Sequence, residues 1–142
     1  MEDGDDKMKA LDSGIENQAY SFEDIENILS PLEFSVGGNW EYDHAYFDHK
    51  LERNDEEYAF IRIPVSTEIG TIGEKNAQIR VGKPFLLVHR FEAGIDHQSI
   101  SGNVQAGFNQ FQAPEDPDAE VDDSYVQRAE AVMKKVDRAL LQ

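Results

Sequence analysis

Apolar side chains recur at two periods along this chain of 142 residues. Phe22, Ile25, Ile28 and Leu29 lie at helical spacing, and Ser21 with Asp24 three positions on has the form of a capping box, with Tyr20 placed to staple against Ile25. Pro31 disfavours helical geometry at Ser30, so the pattern predicts a helix over about 22–30. Val126, Ala129, Met133, Val136 and Leu140 repeat at alternating spacings of three and four behind Ser124 and Gln127, predicting a closing helix. Between these helices the period falls to two. Residues 38–51 alternate, with Trp40, Tyr42, His44, Tyr46 and Asp48 on one face of an extended strand and Asp43, Ala45, Phe47, His49 and Leu51 on the other. Tyr58–Val65, Gln78–Val81 and Phe85–Phe91 also read as strands, and Ile15–Tyr20 as a short one.

The polar turn Arg53-Asn54-Asp55-Glu56 joins 38–51 to Tyr58–Val65 as an antiparallel hairpin in one of two registers. A two- or four-residue loop sets Tyr46 opposite Ile63 and Asp48 opposite Ile61; a three-residue loop sets Phe47 opposite Ile63 and Asp48 opposite Arg62. The second gathers Ala45, Phe47, Leu51, Ala59, Ile61, Ile63 and Val65 on one apolar face and pairs Asp48 with Arg62 on the other, so it is preferred.

The order helix, consecutive strands, helix is that of an α+β fold: a single antiparallel sheet of about five strands with helices packed on one face. Residues 1–142 read as one domain. Residues 1–12 are highly charged and predict a disordered tail, 66–77 a loop with two glycines, and 112–123 an acidic, proline-punctuated linker. Residues 93–111 are compatible with a strand near 104–111 or a short helix.

Charge narrows the partners. With 13 Lys+Arg against 29 Asp+Glu, the formal charge of −16 would repel a phosphate backbone or an anionic membrane, so neither nucleic acid nor membrane is expected as a partner. The absence of cysteine removes disulfides and thiolate chemistry. No run approaches the ~18 apolar residues of a membrane span, and the acidic start is unlike a signal peptide, so a cytoplasmic protein is expected.

No chemical motif is complete. His44 and Asp48 could supply two metal ligands or an acid–base pair, but zinc takes three or four ligands and nothing at motif spacing supplies the remainder. Gly70-Thr71-Ile72-Gly73-Glu74-Lys75 lacks the spacing and ending of a P-loop, and Asp116, Asp118, Glu120 and Asp122 lack the glycine and glutamate of an EF-hand. Asp96-His97-Gln98-Ser99 holds triad residue types, but adjacency does not build a triad. No catalytic residue, metal or cofactor is expected.

The segments Gly37-Gly38-Asn39-Trp40-Glu41-Tyr42-Asp43-His44-Ala45-Tyr46-Phe47-Asp48, Phe60-Ile61-Arg62-Ile63-Pro64, Gly82-Lys83-Pro84-Phe85-Leu86-Leu87, Phe108-Asn109-Gln110-Phe111 and Asp116-Pro117-Asp118-Ala119 resemble the YugN-like family of Bacillus-group bacteria, in order, over about 15–141. The resemblance implies a small cytoplasmic domain of unknown function, similar in fold to one half of a TATA-binding-protein-like unit. It implies no catalytic residue, and the acidic charge argues against carrying over DNA binding.

If helices cover one face of the sheet, Trp40, Tyr42, His44, Tyr46, Asp48, Phe60 and Arg62 are left on the other. An exposed aromatic patch of that composition predicts a non-enzymatic interaction domain that self-associates as a homodimer. The alternative is a small-molecule site, of a binding protein or of an enzyme, between the sheet and segment 93–123, using His44, Asp48, His97 or Arg62.

Overall fold

The computed structural model describes residues 4–36, 43–72, 74, 76–91 and 121–141. Strands β1 (Gly4–Ala10) and β2 (Ala19–Ser21) precede helix α1 (Phe22–Leu29), which runs into a 3-10 turn at Ser30–Leu32. Strands β3 (Ser35–Val36), β4 (His44–Arg53), β5 (Glu57–Ile69), β6 (Gln78–Val81) and β7 (Phe85–Phe91) follow, and helix α2 (Asp123–Leu140) closes the chain. The described residues form an α+β fold, with two helices and one open sheet among them.

All strand pairs described are antiparallel. The sheet is organised around β5, whose 13 residues pair along one edge with β4 and along the other first with β7 and then with β6. Beyond these, β1 lies on β7, β3 on β4 and β2 on β6. Seven strands thus join one sheet among the described residues, more than the five expected, because short β2 and β3 and the charged β1 add themselves to its edges.

The hairpin takes the preferred pairing, with Phe47 opposite Ile63 and Asp48 opposite Arg62, by a different route. Next to the turn Arg53 pairs with Tyr58 and Glu52 with Ala59, and a one-residue shift at Leu51 then restores the register that sends Ala45, Phe47, Ile61 and Ile63 to the same side. These four join Phe22, Ile25 and Leu29 of α1 and Ala129, Met133, Val136 and Leu140 of α2 in one buried cluster, so both helices lie on the same face of the sheet.

Four expectations are corrected. Residues 4–10 of the expected tail form β1, whose register runs from Gly4 opposite Phe91 to Ala10 opposite Phe85, and Leu11 is buried in the core. Residues 14–17 are a turn, and only 19–21 of the expected first strand are extended. Strand β5 continues through Ile69 because Thr67 and Ile69 find partners in Ile79 and Gln78; the chain turns only at Gly70, whose φ of +87° suits glycine. Helix α2 is capped not by Ser124 but by Asp122, whose carboxylate accepts the Ser124 amide at 2.8 Å. The expected strand or helix within 93–111, and the linker as far as residue 120, lie outside the described residues.

Candidate functional site

The residues singled out from the sequence divide. Trp40, Tyr42 and His97 lie outside the described residues. His44, Tyr46, Asp48, Phe60 and Arg62 are brought onto the sheet face away from the helices by alternation along β4 and β5. Tyr46 (1% exposed), Phe60 (2%) and Arg62 (1%) are nevertheless buried within the chain itself, so they do not form the exposed aromatic patch that self-association was expected to use. The cause is a second apolar layer: Phe60, Phe85, Leu87 and Phe91 form their own buried cluster, with Met8 and Tyr58 packed against it.

Arg62 is held there by a two-pronged salt bridge, Nε and Nη2 each 2.9 Å from an Asp48 carboxylate oxygen. Its guanidinium carbon also lies 3.6 Å from the Tyr46 ring centre and 5.1 Å from that of Phe60. Burial pushes the Asp48 carboxyl above its usual range, outweighing the opposing hydrogen bond and charge of Arg62. Burial also raises the Tyr58 phenol, and Asp48 adds to the effect. Asp48 is therefore committed to Arg62, while His44 Nδ1 is 2.8 Å from Asp43. Among the described residues no three His, Asp or Glu side chains converge to hold a metal.

On the same face, Asp6 of β1 stands opposite His89 of β7 in the ladder, and its carboxylate contacts His89 Nδ1. Sequence reasoning missed both residues because it assigned residue 6 to the tail.

A cavity of about 650 Å³ opens on the helical side of the sheet. Its sheet wall is made by Lys7 of β1, Val88 and Arg90 of β7 and Glu57 of β5; β7 runs between β1 and β5, so the ladder brings these residues side by side. The opposite wall is the start of α2, with Val121, Asp122, Asp123 and Tyr125. Tyr125 Oη donates a 2.6 Å hydrogen bond to Glu57 Oε1, and Arg90 Nε lies 3.5 Å from Glu57 Oε2, tying helix to sheet through one carboxylate. Burial, then the hydrogen bond and charge of Glu57, pushes the Tyr125 phenol up to about 12, which keeps it a donor across the ordinary pH range. The hydrogen bonds from Ser124 hold the Asp122 carboxyl below its usual range.

The cavity sits where the alternative site was expected only in part, since it meets the 93–123 segment at Val121–Asp123 and uses none of His44, Asp48 or Arg62. Glu57 and Arg90 gave no motif signal. The one sequence clue to Tyr125 was its position beside the apolar stripe of α2, where it is buried and Val126 only partly so.

The YugN-like family model matches residues 10–140. A relative, "Uncharacterized protein YugN" of Bacillus subtilis (strain 168), is 37% identical over 134 residues, which is 94% of this chain and 99% of the relative. The crystal structure of an uncharacterized conserved protein YugN from Geobacillus kaustophilus HTA426 superposes with a TM-score of 0.65 at 17% identity, covering 93% of this chain and 94% of that one, a likeness of fold. On the span of the family match and the identity to the Bacillus subtilis protein, the chain belongs to the YugN-like family.

Proposed function

We propose that this protein is a small-molecule-binding domain, with its site in the cavity between the β1–β7–β5 end of the sheet and the start of α2. The observation that carries the reading is the cavity itself: about 650 Å³ falls within the range of ligand pockets, and convergent polar groups line it beside the apolar Val88 and Val121. The contact of Tyr125 with Glu57 and of Arg90 with the same carboxylate supports the reading further, because it holds a hydrogen-bond-accepting phenol oxygen and a cation in place before any ligand arrives. Likeness to half of a TATA-binding-protein unit belongs to the proposal as a likeness of sheet and helices alone. Duplex binding is left out of it, since a net charge of −16 opposes it.

Thermal-shift screening of a metabolite panel tests the proposal. A ligand at about 100 times its Kd adds about 2.7 kcal/mol to the folded state, a shift of several degrees. At least one compound class should raise the melting temperature of the wild type and fail to do so for Arg90→Gln, which removes the charge of a side chain that is 61% exposed. A panel without hits, or hits unaffected by both Arg90→Gln and Lys7→Gln, would sink it.

A further inference from the structure

The cavity walls meet through the Tyr125–Glu57 hydrogen bond, and the other charges beside that contact divide between them. Lys7 and Arg90 stand on the sheet side, Asp122 and Asp123 at the start of α2, and among the described residues no ion pair joins either cation to either aspartate. Lys7 has no ion-pair partner among them at all, and Arg90, whose side chain is 61% exposed, pairs with Glu57 at 3.5 Å through Nε. Asp122 is occupied with the Ser124 amide and Glu57 with Tyr125 and Arg90, whereas Asp123 has no hydrogen-bond or salt-bridge partner among the described residues. The unengaged groups are thus cationic on one wall and anionic on the other.

From this charge division we propose that the ligand is a compact zwitterion of the amino-acid class, its carboxylate held by Lys7 and Arg90 and its ammonium by Asp123. The inference rests on the reading of the cavity as a binding site. A ligand with both charges answers both walls without bringing net charge into a partly enclosed space. A simple anion would face the carboxylates of Glu57, Asp122 and Asp123, and a simple amine would face Lys7 and Arg90. A planar carboxylate also matches the fork of the Arg90 guanidinium. Val88, Val121 and the Tyr125 ring provide apolar surface for an uncharged side chain, so leucine- or phenylalanine-like zwitterions fit better than charged ones.

Isothermal titration of the full-length protein with L-leucine and L-phenylalanine, and with the same skeletons lacking the ammonium or lacking the carboxylate, tests the assignment. At least one amino acid should bind, and each truncated analogue should bind at least about tenfold more weakly, the loss of one charge-assisted contact. Arg90→Gln should abolish the preference over the amine, and Asp123→Asn the preference over the acid, each with the melting temperature little changed. If phosphate or a plain carboxylate binds as tightly as the amino acid, and Asp123→Asn strengthens it, the class is wrong while the cavity remains a binding site. An amine binding as tightly as the amino acid overturns the class in the same way. If neither these compounds nor the metabolite panel bind, the inference and the proposed function fall together.

Discussion

Arg62 is among the largest side chains fully inside this protein, and it carries a charge there. Such a residue persists only if its partners replace water, and Asp48 does so with two 2.9 Å contacts while the Tyr46 ring covers the guanidinium plane. The pair is better described as a mutual dependence than as a source of stability, because burial still lifts the Asp48 carboxyl above its usual range despite Arg62. Removing one partner should therefore be costly. Arg62→Met is expected to lose about 3 kcal/mol at neutral pH, at the lower end for a broken buried pair, since Asp48 keeps some exposure. The pH dependence follows from the direction of the shift. A carboxyl whose folded value is raised favours the folded state in its neutral form, so that contribution is complete below the unfolded value and is lost as pH rises through the folded one. Without Arg62 the folded value rises further, and the penalty of Arg62→Met should shrink as the solution is acidified. Urea midpoints measured from acidic to neutral pH check this; a penalty that is small or independent of pH would show that Asp48 is solvated without its partner.

At the scale of elements, what was legible in the sequence was what local alternation controls. Strands β6 and β7 fall at the expected residues, and the Asp48–Arg62 register was visible because only it sorts apolar from polar side chains. What was not legible follows from the sheet being buried on both sides. Residues 59–63 and 85–89 are buried at consecutive positions, which erases the difference between core and surface faces; the unbroken run Phe85-Leu86-Leu87-Val88 was the available signal. Strand β1 was hidden by its charges, yet Asp6, Lys7 and Lys9 are the residues expected on an edge strand, where charge discourages further pairing. The 3-10 turn after α1 ends on Glu33 in the left-handed region at φ 69°, a conformation that costs a non-glycine residue on the order of 1 kcal/mol. Glu33 is exposed, so Glu33→Gly should relieve that strain at little loss of contact and raise stability by about 0.5 kcal/mol, after the extra freedom glycine gives the unfolded chain. Calorimetry showing a lowered melting temperature would mean that the Glu33 side chain contributes more than its backbone loses.

Across the whole molecule, the candidate site is assembled from places that no local window contains: residue 7, residue 57, residues 88 and 90, and residues 121–125 meet only because β7 lies between β1 and β5 and the start of α2 lies against them. That strand order makes β1 a test of the architecture as well as of the site. If residues 1–10 were a solvated tail, deleting them would leave stability unchanged. In this sheet the deletion strips β7 of its backbone partners along one edge, removes Met8 from the cluster of Phe60, Phe85, Leu87 and Phe91, takes Asp6 from the buried His89, and removes Lys7 from the cavity. Partial burial of one methionine and the loss of one hydrogen-bond partner at a buried ring are together worth about 3 kcal/mol, before the newly exposed edge is counted. The truncated chain should therefore show a lower denaturant midpoint, faster amide exchange along Phe85–Phe91 and weaker binding of any ligand that depends on Lys7. Met8→Asp in the full-length chain separates the effects, because it should weaken packing of β1 while leaving Lys7 in place. An unchanged midpoint and unchanged exchange in the truncated chain would remove β1 from the sheet and Lys7 from the site together.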